Sequence, residues 1–285
     1  MIAVTGATGQ LGRLVINALL KKVSASEIIA AVRSPEKASD LAALGVQVRK
    51  ADYSQPATLE AAFQGVDKLL LISSSEVGQR VAQHAAVINA AKHAGVKLLA
   101  YTSLLHADKS TLGLGDEHRA TEALLRESGL PVVLLRNGWY TENYAASIAP
   151  SLDHGAFIGA AGDGRIASAT REDYAQAAAA VLTQENQAGK IYELAGDDSY
   201  TLAEFSAEIA RQSGKPVEYK NLSEADFKQA LIGAGLPEGF ASLLADSDAG
   251  AAKGGLFDDS HTLSKLIGRP TTPYAKVIAA TLATR

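Results

Sequence analysis

Apolar and polar positions come in alternating blocks through the first half of the chain. Met1-Ile2-Ala3-Val4-Thr5 reads as a strand, and after a glycine-rich turn Leu11, Leu14, Val15 and Ala18 recur at the spacing of one helix face. The alternation then repeats. Strands are expected at residues 27–33, 45–52, 68–72, 96–102 and 131–136, and helices between them at 35–44, 59–63, 80–94 and 116–128. The strands are apolar almost throughout rather than at every second position. Such strands belong to a parallel sheet covered by helices on both faces, so the pattern predicts a doubly wound α/β domain.

The alternation loosens after about residue 140. An alanine-rich helix is expected at 171–182 and one more sheet strand at 191–196. Thr201 with Glu204 three residues on has the form of a capping box opening a helix over 202–213. Residues 224–248 and 260–267 read as further short helices, and 249–255, rich in Gly and Ala, as a mobile loop. The expected division is residues 1–150, with a returning segment at about 171–196, against a smaller, mainly helical lobe over the rest of 151–285. Ligands of open α/β sheets bind at the carboxyl ends of the strands, and the smaller lobe is expected to close over that edge as a substrate lobe.

Chemistry enters at the first turn. Gly6-Ala7-Thr8-Gly9-Gln10-Leu11-Gly12 has the spacing G-x-x-G-x-x-G between a strand and a helix. A helix N-terminus presents unpaired N–H groups and the positive end of its dipole, which suits a phosphate. Gly6 permits the tight turn, Gly9 leaves room for a pyrophosphate, and Gly12 allows close packing of helix on sheet. The turn therefore predicts a Rossmann dinucleotide site formed by all seven residues. The second strand ends at Arg33, where a site for NAD would carry a carboxylate to accept from the ribose hydroxyls. A guanidinium fits a 2′-phosphate instead, so the expected cofactor is NADP(H), with Lys37 as a second candidate cation. Ser73, Ser74 and Ser75, at the end of the fourth strand, are expected to meet the cofactor through backbone and hydroxyl groups.

Composition narrows the rest. With no cysteine among 285 residues, disulfides, thiolate catalysis and cysteine metal sites are excluded. The net charge of −4 gives no basic footprint for nucleic acid. No apolar run approaches the roughly 18 residues that span a bilayer, and no signal segment fits before the first strand, so a cytoplasmic protein without membrane insertion is expected. The six histidines lack metal-ligand spacing and read as surface or packing residues. A homo-oligomer is compatible with the sequence, which selects no oligomeric state.

Several segments together resemble a known family. These are the glycine turn, Arg33, Asp52, Ser73–Ser75, the run Leu134-Leu135-Arg136-Asn137-Gly138-Trp139-Tyr140-Thr141-Glu142-Asn143, and Thr170-Arg171-Glu172-Asp173-Tyr174-Ala175. The chain is similar along its whole length to the NmrA-like branch of the atypical, extended short-chain dehydrogenases, and most similar to that branch's quinone-reducing members. The resemblance implies NADPH as cofactor and a small quinone as substrate. It also shows a departure from the parent superfamily. Ordinary members carry Tyr-x-x-x-Lys on the helix after the fifth strand as their proton-transfer dyad. Here Leu114 stands in the tyrosine's place and His118 in the lysine's. Carbonyl reduction through that dyad is not expected, whereas a quinone needs less help, because a hydroquinone anion is far more stable than an alkoxide. The branch also contains proteins that sense the NADP(H) redox state without turnover, and the residues leave both readings open. An isomerase of the same fold is a third, weaker reading.

Candidate substrate residues follow the 131–136 strand. Asn137, at the carboxyl edge, is expected to donate an amide N–H to the quinone oxygen as charge builds, and it is the one catalytic candidate. The alternative is a turn asparagine before Gly138. Trp139 and Tyr140 suit stacking on a flat ring or, equally, core packing. Thr141, Glu142 and Asn143 are expected along the same cleft, and the loop Gly162-Asp163-Gly164-Arg165 to bring Arg165 toward it. Arg171 and Asp173 read as structural.

Overall fold

The computed structural model describes residues 1–284. Its contacts divide the chain into two compact units. The first comprises Met1–Ala107, Asp116–Asn137 and Arg171–Tyr192. The second comprises Asp108–Gly115, Gly138–Thr170 and everything described from Glu193 onward. The first unit thus ends at Asn137 rather than near 150, and its returning segment at Tyr192 rather than near 196. The physical reason is that the chain after Asn137 pairs with Ala169 and Leu194, inside the second unit.

The sheet runs β3 (Gln47–Lys50), β2 (Ile28–Val32), β1 (Ile2–Thr5), β4 (Lys68–Leu71), β5 (Leu98–Leu104), β6 (Val132–Asn137), β8 (Ile191–Leu194). The pairings from β3 through β6 are all parallel, with Ile2 opposite both Ile28 and Lys68. The chain steps outward from β1 to β3 and then returns to lay β4 on the other side of β1, so the order reverses between β1 and β4. Alternate strand residues serve the two faces. Ala3, Ile29, Leu69, Leu99 and Tyr101 share one core with Leu59, Phe63, Val87, Ile88 and Leu125. Those partners sit on or beside helices Pro56–Ala62, Arg80–His93 and Leu114–Ser128. On the other face helix Gln10–Leu20 packs along helix Arg171–Thr183. The latter buries Ala175, Ala177, Ala178 and Ala179, whose small side chains admit the close approach.

Beneath β5 the first core turns polar. Tyr101 and His84 are fully buried, ring to edge at 5.4 Å, and the Tyr101 hydroxyl is 2.7 Å from His118 Nδ1. His84 Nδ1 lies 2.9 Å from Thr121 Oγ1, and that hydroxyl donates to the Glu117 carbonyl at 3.0 Å. Nearby Glu122 and Arg136, each about 8% exposed, form a bidentate ion pair at 2.9 and 2.7 Å, and the Ser103 hydroxyl donates to the same carboxylate. The fork–fork geometry and the added donor offset the desolvation of both charges.

In the second unit β7 (Ala156–Gly159) and β9 (Glu218–Asn221) form a parallel pair that the expectation of a mainly helical lobe missed. β7 is a four-residue apolar run and β9 a four-residue polar one with a single aromatic, and both are too short to show a period. The capping box at Thr201 and Glu204 opens helix Leu202–Ser213 as expected. An aromatic nest forms around Phe205, with Tyr200 at 5.2 Å, Phe157 at 5.5 Å and Tyr274 at 5.8 Å. Asp248 is buried and accepts from the Tyr144 hydroxyl and the Ala160 N–H, and burial raises its carboxyl to about 6. The stretch 249–255 is not an open loop. Helix Glu238–Ala251 runs into it, a Cβ on Gly250 would lie 2.6 Å from Leu112, and one on Gly164 would collide with the Ala251 carbonyl. Gly250 and Gly255 serve close packing against Leu112, while Gly254 takes a positive φ in open space, a difference composition alone does not show.

Burial, with the Arg80 charge second, lowers both His84 and His118 from 6.5 to about 3. The native state therefore keeps them neutral, while the unfolded chain protonates them below about 6.5. Their contribution is intact above that value and is lost as pH falls toward 3, at about 1.4 kcal/mol per pH unit for each. Asp248 acts oppositely between 3.8 and about 6, where the native state holds its proton. Urea unfolding between pH 6 and 4 should show stability falling with pH, and His118→Gln should flatten that slope by about 1.4 kcal/mol per unit. An unchanged slope would mean that His118 is already protonated in the native protein.

Candidate cofactor cleft and substrate edge

A cleft of about 810 Å³ opens in the first unit where β1, β2, β3 and β4 end. It lies at the reversal of strand order, the usual ligand crevice of such sheets. Gly6 turns the chain with a φ of +58°, and the Gly9 N–H closes the turn on the Gly6 carbonyl at 2.9 Å. A Cβ on Gly12 would run into that carbonyl and lie 2.7 Å from Ala7 Cα. Gly12 thus seats the helix on the turn itself, not on the sheet as expected. Helix Gln10–Leu20 has no side-chain cap and no acidic residue in its first turn, which leaves its first N–H groups open to an anion. Of the turn residues expected to bind, Gly6, Thr8, Gly9, Gln10, Leu11 and Gly12 line the cleft. Ala7 is fully buried beneath it.

Arg33 lines the cleft at the tip of β2, and its Nη1 lies 3.1 Å from Glu76 Oε1. Lys37 lines it as well. Its backbone is tied down by Arg13, which donates to the Lys37 carbonyl at 2.8 Å and the Thr8 carbonyl at 3.2 Å and pairs with Asp40. Sequence reasoning passed over Arg13. The available signal was a cation in a helix's first turn, where the dipole disfavours it unless it has partners of its own. Asp52 accepts from the Ser54 N–H and hydroxyl, which hold its carboxyl below the ordinary value. Beside it Tyr53, pushed up to about 12 by burial, completes the β3 side.

The β4 side is held from behind. The N–H groups of Ile72, Ser73 and Ser74 donate in turn to Thr5 Oγ1 at 3.1 Å, Thr102 Oγ1 at 2.8 Å and His84 Nε2 at 3.0 Å. That last bond requires the proton of neutral His84 on Nδ1, facing Thr121. Arg80 Nε donates to the Ser74 carbonyl at 2.6 Å. All three serines line the cleft, but Ser73 and Ser74 have no backbone N–H left for a ligand, contrary to expectation. Arg171, expected to be structural, lines the same cleft.

Asn137 closes β6 rather than following it, and its carbonyl accepts from the Leu105 N–H at 2.9 Å. Its side chain is 6% exposed, and among the described residues its Oδ1 has no hydrogen-bond partner. Such an orphaned buried amide oxygen is costly unless something completes it.

In the second unit Gly138 donates to the Leu194 carbonyl at 2.8 Å, and Trp139 and Thr141 bond on either side of Ala169. Trp139 and Thr141 are buried, with the Thr141 hydroxyl 2.8 Å from Ser168 Oγ, which lies 2.6 Å from the Tyr200 hydroxyl. Those two side chains pack. Tyr140, Glu142 and Asn143 remain partly exposed. Arg165 donates to Ser199 Oγ and the Ser199 carbonyl and lies 3.5 Å from Glu204, so its guanidinium is engaged locally.

Comparison with known proteins agrees with this architecture. The NmrA-like family matches residues 1–267. Quinone oxidoreductase 2 of Escherichia coli (strain K12) is 64% identical over 279 residues, 98% of each chain. The crystal structure of NADPH-dependent quinone oxidoreductase QOR2 of Escherichia coli with NADPH has a TM-score of 0.97, covering 99% of this chain and all of that one. Triphenylmethane reductase of Citrobacter sp. with NADP(H) is 43% identical with a TM-score of 0.95, covering 99% of this chain and all of that one. The cleft at the sheet's reversal point, the glycine turn beneath it and full-length similarity to these reductases place the chain in the NmrA-like family, to which it belongs.

Proposed function

We propose that this chain reduces quinones with NADPH as reductant. The observation that carries the reading is 64% identity across 98% of both lengths to a quinone oxidoreductase, joined to a TM-score of 0.97 with an NADPH complex. The cleft fits that cofactor. A Cβ on Gly9 would lie only 3.2 Å from the Gly6 carbonyl, on the turn that a pyrophosphate approaches, and a cation rather than a carboxylate ends β2. The glycine turn and the open helix N-terminus would hold the pyrophosphate, Arg33 and Lys37 the 2′-phosphate, and the wall at Ser73–Ser75 the adenosine half. When bound, the dihydronicotinamide supplies a hydride to the quinone ring.

Asn137 is the residue we assign to the substrate's developing oxyanion. Its amide supplies a donor without a titrating group, which suits a quinone whose reduced form is a stable anion. His118 is not the proton source, because burial keeps it neutral far below neutral pH and Tyr101 occupies its Nδ1. Gly138, Tyr140, Glu142 and Asn143 complete the proposed substrate segment, with Trp139 and Thr141 packing behind them and Arg165 the least supported member. The second unit is assigned the role of substrate lobe. A cytoplasmic setting, where NADPH is regenerated, belongs to the same reading. Among the described residues no helix is long and apolar enough to cross a membrane.

Three measurements test this. Adding a simple benzoquinone to protein and NADPH should give steady loss of NADPH absorbance, whereas binding without turnover would make the chain a redox sensor. Arg33→Ala should weaken NADPH by about 10- to 100-fold, the loss of charged hydrogen bonds, and leave NADH within about twofold. Equal losses for both cofactors would make Arg33 structural. Asn137→Ala should lower kcat by about 10- to 100-fold, below the two to three decades of a full oxyanion-hole donor, with NADPH affinity nearly constant. Asn137→Asp should be worse, since a carboxylate repels the growing charge. If both variants lose melting temperature yet keep single-turnover rates, Asn137 only shapes the end of β6.

A further inference from the structure

The geometry points to Glu76 as an internal competitor for the 2′-phosphate: it pairs with Arg33, and so sets how strongly the cleft prefers NADPH over NADH. The inference rests on the NADPH reading above. Arg33 stands at the exit of β2 and Glu76 at the exit of β4, on two separate walls of one cleft, and their charged atoms are 3.1 Å apart. Glu76 is not a loose surface acid. Its second oxygen accepts from Gln83 Nε2 at 2.9 Å, its N–H donates to Ser74 Oγ at 3.2 Å, and Ser74 Oγ in turn donates to Gln83 Oε1. Ser74 is itself fixed through His84 and Arg80. A continuous chain of polar contacts therefore runs from the buried wall to the guanidinium that is to receive the phosphate.

Two consequences follow from charge alone. A 2′-phosphate reaching Arg33 must exchange for a carboxylate already bound there, and it must then sit beside that carboxylate. NADH carries a neutral hydroxyl in this position and meets neither cost. Nearby Asp52 adds negative charge, and Lys37, with its backbone held by Arg13, adds positive charge. Glu76 is the acid in contact with Arg33. Both partners are substantially exposed, 70% and 49%, so solvent screens the effect.

The test is direct titration of wild type and Glu76→Gln with NADPH and NADH, followed by tryptophan or nicotinamide fluorescence, at low and high salt. The amide oxygen can still accept from Gln83, and the backbone contact to Ser74 is kept, while the charge and the acceptor facing Arg33 are removed. Glu76→Gln should bind NADPH about two- to fivefold more tightly at low salt, with the gain shrinking at high salt and NADH unchanged. The same gain should appear with 2′,5′-ADP and be absent with 5′-ADP, which isolates the phosphate from the rest of the cofactor. Unchanged or weaker NADPH binding by a variant that melts like wild type would overturn the inference, as would an equal gain for NADH. Failure of the wild type to bind NADPH at all would instead remove the cofactor reading, so the two failures are distinguishable.

Discussion

Three consecutive backbone N–H groups at the end of β4 fix the geometry on which the cleft depends. Those of Ile72, Ser73 and Ser74 are taken by Thr5 on β1, Thr102 on β5 and His84 on the following helix. A strand that ends at a ligand crevice leaves such donors without ladder partners, and leaving them buried and unpaired would cost roughly 1–3 kcal/mol each. Satisfying them from three elements pins the strand end between its neighbours. The cost is functional: the Ile72, Ser73 and Ser74 N–H groups are spent within the protein, so anion binding falls to the glycine turn and to the cations at the end of β2.

The two sides of the cleft are built by different physics. On the glycine side the constraint is steric. Gly12 lies against the Gly6–Ala7 backbone with no room for a Cβ, and Gly6 takes a left-handed turn. On the cationic side it is electrostatic and local. Arg13 joins the turn to the segment carrying Lys37, and Glu76 reaches Arg33 from the β4 exit. The first constraint is short in sequence; the second links residues 24 and 43 positions apart.

That difference decides what could be read from the sequence. Gly6–Gly12, Arg33 and Ser73–Ser75 announce themselves because each follows an apolar strand, and the block pattern gives the parallel, doubly wound sheet. Full-length similarity added the segment from Asn137. Glu76 and Gln83 were invisible because the meaning of each depends on the other and on Arg33, and no period or motif records such a meeting. His84 was legible as a packing residue, but not as the acceptor that closes the β4 wall. The β7–β9 pair escaped because four-residue strands are too short to show a period, and 249–255 misled because Gly250 and Gly255 there mark close packing against Leu112.

The missing proton-transfer dyad looks different once its surroundings are counted. Without a tyrosine at Leu114 or a lysine at His118, helix Leu114–Ser128 does not present an apolar surface. The helix carries Glu117, His118, Thr121 and Glu122, and each is engaged: with Gly78 and Arg80, with Tyr101, with His84, and with Ser103 and Arg136. Tyr101 and Ser103, which stand on β5 where a proton donor would be useful, are both buried and bonded inward. Burial raises the Tyr101 hydroxyl far above its ordinary range and depresses His118, so neither exchanges protons near neutrality. The helix has become a support for the β4 and β6 strand ends. With these polar groups engaged in packing, an acceptor that tolerates its own negative charge is the one such a site suits. A quinone meets that restriction, and we assign the substrate edge at the end of β6 to the Asn137 amide, with its Nδ2 as the proposed donor, rather than to a titrating side chain.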